Sequence, residues 1–101
     1  MKLLVVVGVN HFNKEIKRIL DESGISIYSQ TNIVGHNEMV EENLSANWFA
    51  STSEFQKSVL YFSFTGSAKA ESVLKLVNKQ NETIDSTSRI RAFIMPVETH
   101  N

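Results

Sequence analysis

An α+β sandwich with a four-stranded antiparallel sheet and two helices on one face is the fold class this sequence predicts. Three observations predict it. Two segments are apolar at helical spacing, four segments carry strand patterning, and they alternate in the order β-α-β-β-α-β. The 101 residues suit one compact domain, 1–101.

The first element is Leu3 to Val9, a continuous β-branched and apolar run of the kind covered on both faces of a sheet. One lysine precedes it, but no small-residue cleavage site follows, so it reads as a buried strand rather than a secretory leader. Phe12, Ile16, Ile19 and Leu20 then recur at helical spacing, with charged residues between them, and predict a helix over about 12–23. Gly24 follows directly and suits the left-handed residue that ends a helix. Ile25 to Val34 mixes β-branched and polar residues and reads as the second strand, reaching Gly35.

Residues 36–56 show no sustained period and read as a long loop, a length that in a compact domain is usually functional or mobile. Ser58 to Thr65 is the clearest strand: Leu60, Phe62 and Phe64 share one face, Val59 and Tyr61 the other. Gly66-Ser67 is a turn with Ser67 as the expected N-cap. Ala70, Val73, Leu74 and Val77 predict the second helix, Asn81 to Ser88 a polar loop, and Ile90 to Val97 the last strand. This is the split βαβ, ferredoxin-like arrangement, in which right-handed crossovers put both helices on one sheet face. The first and third strands are apolar on both faces, which predicts that the other sheet face is covered by further copies of the chain.

Composition removes several function classes. The net charge of -1 supplies no cationic surface for nucleic acid or anionic lipid. No apolar stretch approaches the roughly 20 residues of a membrane span, so no direct membrane insertion is expected. The absence of cysteine removes disulfides, thiolate metal sites and cysteine catalysis, and fits a cytoplasmic protein. The four glycines are too far apart for a phosphate-binding loop, and no Gly-x-Ser-x-Gly elbow is present. The chain is therefore expected to bind rather than to catalyse.

The remaining candidates are short. His36 with Glu38 offers two metal ligands or an acid–base pair, and His11 and His100 are potential additions, but solvated loop histidines are the commoner explanation. Glu38, Glu41 and Glu42 lack the spacing of a calcium loop. Trp48-Phe49 in the long loop either packs on its own assembly or docks a partner. Arg89 and Arg91 flank Ile90 at the start of the last strand. Alternation puts both on one face, where two guanidiniums form an anion clamp or a charged strand edge.

Nearly the whole chain resembles the PII-type signal transducers. Met1-Lys2-Leu3-Leu4 is similar to the family's opening, and Gly24-Ile25 to its helix-to-strand junction. Thr31-Asn32-Ile33-Val34-Gly35 resembles the Thr-x-Val-x-Gly strand that leads into the family's T-loop. Phe93-Ile94-Met95-Pro96-Val97-Glu98 resembles its terminal Phe-Val-x-Pro-Val-Glu strand. The resemblance implies a cytoplasmic homotrimer with its sheets turned inward and ligand clefts between subunits. It also implies control of a partner through the long loop, with a membrane transporter as the expected partner. It places Ser29, Thr31, Gly35 and His36 on one side of the cleft, with Arg91 where the family carries a phosphate-binding lysine and Arg89 beside it. The stretch from Glu82 to Arg91 has none of the family's glycines, and His36-Asn37 replaces its Arg/Gln pair. A small anion or altered nucleotide is therefore expected in place of tight ATP, with an ATP dissociation constant no better than roughly 0.1 mM. The alternative is a trimeric divalent-metal-binding or metal-tolerance protein of the CutA type.

Overall fold

The computed structural model describes residues 1–36, 55–84 and 88–101. Strand β1 spans Lys2–Val9, followed by a short 3-10 turn at Asn10–Phe12 and helix α1 at Asn13–Glu22. Strands β2 and β3 span Ser29–His36 and Phe55–Thr65, helix α2 spans Ser67–Asn81, and β4 spans Arg91–Pro96. The strands form one antiparallel sheet in the order β2-β3-β1-β4. The expected α+β, ferredoxin-like architecture is therefore what the chain adopts.

The core lies between the helices and one face of the sheet. Ile16, Ile19 and Leu20 of α1 and Ala70, Val73 and Val77 of α2 pack with Leu4, Val6, Val59 and Tyr61 of the two central strands. Gly8 lets α1 approach β1 closely: a Cβ there would stand 2.9 Å from Ile16 Cδ1. Tyr61 donates its hydroxyl to Asn13 Oδ1 at the start of α1, and Tyr28 meets its ring edge-on at 5.5 Å. Arg18 joins Glu22 at 2.7 Å and reaches across to Gln80 of α2 at 2.8 Å. Those groups are exposed, so they orient the helices more than they stabilise them.

Helix α1 ends in a paired-hydrogen-bond cap. Gly24, at φ 80°, donates to Asp21 O at 3.0 Å, and Ile25 donates to Leu20 O at 2.9 Å. This is the Schellman arrangement, and the accompanying apolar contact is made by Ile25 and Leu20, both in the core. It also explains why β2 begins at Ser29 and not at Ile25. The residues after Gly24 are used in closing the helix and burying Ile25, so pairing with β3 starts four residues later.

Other boundaries also differ from expectation: β2 runs through His36 and β3 starts at Phe55, so both ends of the segment read as a loop over 36–56 belong to paired strands. Ser67 is the first residue of α2, not its N-cap; the extended residue before it is Gly66, and no side chain caps the helix. Ile90 precedes β4 because its main-chain groups are engaged by a side chain, described below.

Candidate functional site

The registers divide the side chains cleanly between two faces. Leu4, Val6, Val59, Tyr61, Ala92 and Ile94 face the helices, so the intervening residues face the other way. Among the described residues no helix covers that second face, called the helix-free face below, and four cross-strand rows lead along it to the Gly35–Gln56 pair at the end of β2 and β3. At one end Phe64, Leu3 and Met95 form a row, with Ile27 beside Phe64. The next row is Ser29, Phe62, Val5 and Phe93, and the third is Thr31, Leu60, Val7 and Arg91. The last is Ile33, Ser58 and Val9.

This face is apolar, and its apolarity rises toward one end. Ile27 is 86% exposed, Phe64 58% and Met95 40%. Phe62 and Phe64 contact edge to face at 6.3 Å and form an aromatic pair on this face of β3. The other end of the face carries hydroxyls and one guanidinium. No Asp or Glu belongs to any of these rows.

The predicted ligand residues separate into two groups on opposite edges. Ser29, Thr31 and Gly35 lie on β2, all on the helix-free face, with Ser29 and Thr31 exposed. Arg91 lies on β4 in the same row as Thr31, three strands away, or about 14 Å at the usual strand spacing. Within one chain these residues do not converge. Arg89 precedes β4 and is exposed, so strand alternation does not place it beside Arg91 as expected. His36 ends β2, opposite Phe55 in the register. Trp48, Phe49, Glu38, Glu41 and Glu42 lie outside the described residues. His11 packs its ring against Phe12 at 5.0 Å and His100 contacts Asn101 O, so both exposed histidines stay local. Among the described residues, no group of three or more His, Asp or Glu side chains is arranged to hold a metal.

Sequence reasoning placed Asn81 in a polar loop. It is the last residue of α2, and its carboxamide grips Ile90 twice: Nδ2 donates to Ile90 O and Ile90 N–H donates to Oδ1, both at 2.9 Å. The pair closes the connection between α2 and β4 and sets the backbone immediately before Arg91. The available signal was the residue type, since asparagine readily bonds nearby main chain at helix and loop boundaries. A cleft of about 270 Å³ opens beside it, lined by Leu74, Asn78, Arg91 and Phe93 among others. Arg91 therefore stands at the rim where the helix-free face meets the edge of the sheet.

No family model and no curated protein matches the chain. A solved structure does: a DUF3240 family protein from Shewanella baltica, with a TM-score of 0.66 over 99% of this chain and 92% of that one. The two share 18% sequence identity, so the likeness is one of fold.

Proposed function

We propose that the chain is a PII-like cytoplasmic regulator that assembles as a homotrimer through its helix-free sheet face. In this reading a small anion or nucleotide sits between subunits, and Trp48 and Phe49 contact a regulated partner such as a membrane transporter. The role is binding and transmission, not catalysis. One observation carries it: an apolar face bears Ser29 and Thr31 on one edge and Arg91 on the other, in this reading the two halves of an anion site, and one chain cannot bring them together. Neighbouring copies can, because an edge of one sheet can meet the opposite edge of the next.

The size of the face supports the assembly. Eight residues along β1 and four strands across give roughly 26 by 19 Å, or about 500 Å² per copy. A pair of such faces buries about 1,000 Å², the lower bound for a specific interface. The exposed aromatic and methionine side chains are the types that interfaces favour.

Light scattering at micromolar chain concentration tests the assembly, with about three times the 11.4 kDa chain mass as the expected result. A folded monomer at every concentration overturns it. Calorimetry against phosphate, bicarbonate, ATP, ADP and divalent metals tests the ligand class. Tight metal binding with no anion binding would transfer the protein to the CutA-like reading.

A further inference from the structure

Among the described residues, Arg91 carries the only charge in the cross-strand rows of this largely apolar face. Its neighbours in the ladder are Val7 across the strand pair and Phe93 two residues along the same face. Val7 is 2% exposed, and Arg91 itself is half-buried. The one ion pair among the described residues is Arg18 with Glu22, on the helix side of the molecule. A second copy laid on this face, with its opposite edge against β4, brings apolar rows and the neutral hydroxyls of β2 toward the guanidinium, and no acid from the rows. Closing the face therefore removes water from a cation without supplying an opposite charge.

We infer that self-association through this face is linked to the binding of a small oxoanion at Arg91, so that ligand occupancy sets the assembly state. The inference rests on the assembly proposed above and adds its regulation. Guanidinium fits the role, because its planar N–H groups pair two oxygens of a phosphate or carboxylate at once. The hydroxyls of Ser29 and Thr31 on the partner's opposite edge supply neutral hydrogen bonds without adding charge. The anion then takes the place that an acidic side chain occupies in a permanent interface. Because the main-chain groups just before Arg91 are held by Asn81, the cation is offered from a fixed strand start and not from a loose loop. Linkage makes the coupling reciprocal: whatever affinity the anion adds to assembly, assembly adds to anion binding.

Analytical ultracentrifugation of the full chain, at constant ionic strength, tests this. One arm contains chloride alone, a second inorganic phosphate, and a third ATP. Constant ionic strength removes general screening as an explanation. The expected result is that phosphate lowers the concentration for half-assembly about tenfold or more, equivalent to about 1.4 kcal/mol. An effect of ATP equal to that of phosphate identifies the phosphate group as the whole determinant. A larger effect of ATP adds recognition of the nucleoside.

Arg91→Leu should assemble in chloride at least as well as the wild type does in phosphate, and should lose the response to phosphate. Arg91→Lys keeps the charge without the planar fork, and should retain a weaker response, which guards against a folding defect in the leucine variant. A wild type that assembles equally in all three arms overturns the inference and leaves the assembly standing. A phosphate response that survives in Arg91→Leu also overturns it, by placing the anion elsewhere. A monomer in every arm, for wild type and Arg91→Leu alike, overturns the assembly itself.

Discussion

Tyr61 is the polar centre of the buried layer. Its ring is 1% exposed between the sheet and α1, and its hydroxyl finds Asn13 at the first turn of that helix. Burial pushes the Tyr61 phenol above its ordinary value, and the neighbouring Tyr28 adds to the effect. The neutral form is thus the one the fold favours. The stability it carries is intact below pH 10.0, the unfolded value, and is lost as pH rises through the folded value. Urea midpoints measured from pH 8 upward should fall in that alkaline window for the wild type. Tyr61→Phe should cost about 1 kcal/mol at neutral pH and show a shallower alkaline fall. An unchanged alkaline slope would show that other groups govern it. Removal of the partner by Asn13→Ala leaves the buried hydroxyl unmatched and should cost about 1–3 kcal/mol.

The elements are held at their ends by specific contacts that local pattern only partly reveals. The cap of α1 needs the positive φ of Gly24, and the nearest atom to an added Cβ there is Lys69 Cε at an ordinary 3.5 Å. Gly24→Ala should therefore cost about 1–2 kcal/mol from backbone strain alone, read as a lower thermal midpoint with little change in the rest of the fold. At the other end of the molecule, Val97 N–H bonds Met1 O, so Ala92 and Ile94 turn their main-chain groups away from β1. Ile90 shares that outward phase, and Asn81 occupies its groups, while Pro96 has no N–H to offer. The exposed edge of β4 is thereby short, which limits unwanted pairing with other chains. Asn81→Ala should speed hydrogen exchange at the Ile90 amide far more than at Val6 in the sheet centre. Equal effects at both sites would mean that Asn81 acts on global stability and not on this junction.

At the scale of the whole molecule, the two sheet faces have different occupants. One is buried by α1 and α2; the other is apolar and, among the described residues, has no helix over it. Phe64 is 58% exposed on that second face, so Phe64→Lys should leave the stability of a single chain within about 0.5 kcal/mol of wild type. The same substitution should shift the scattering mass to that of one chain, because it puts a charge into the most exposed apolar end of the proposed contact. Retention of the assembled mass would move the interface to another surface. For the ligand, calorimetry with ATP should give a dissociation constant no better than roughly 0.1 mM, and Arg91→Ala should weaken phosphate binding further. Micromolar ATP affinity abolished by that substitution would show that the missing glycines of the 82–91 stretch are not needed.

Local sequence determined a good deal of this protein by itself. The runs Leu3–Val9 and Ser58–Thr65 can be little other than strands, because β-branched and aromatic side chains at period two pack on a pleated surface. The spacing of Ile16, Ile19 and Leu20 dictates a one-sided helix, and Gly24 its end. Element order and crossover handedness then left the ferredoxin-like sheet as the natural solution. Tertiary structure decided what depends on partners remote in sequence. Whether Ile25 continued a strand or closed a helix turned on the buried space beneath α1. Whether the last strand took in Ile90 or began at Arg91 turned on Asn81, nine residues before Ile90, whose carboxamide engages that main chain. The separation of Thr31 from Arg91 across the sheet followed from the pairing order, since their distance is set by two intervening strands and not by any pattern within either segment.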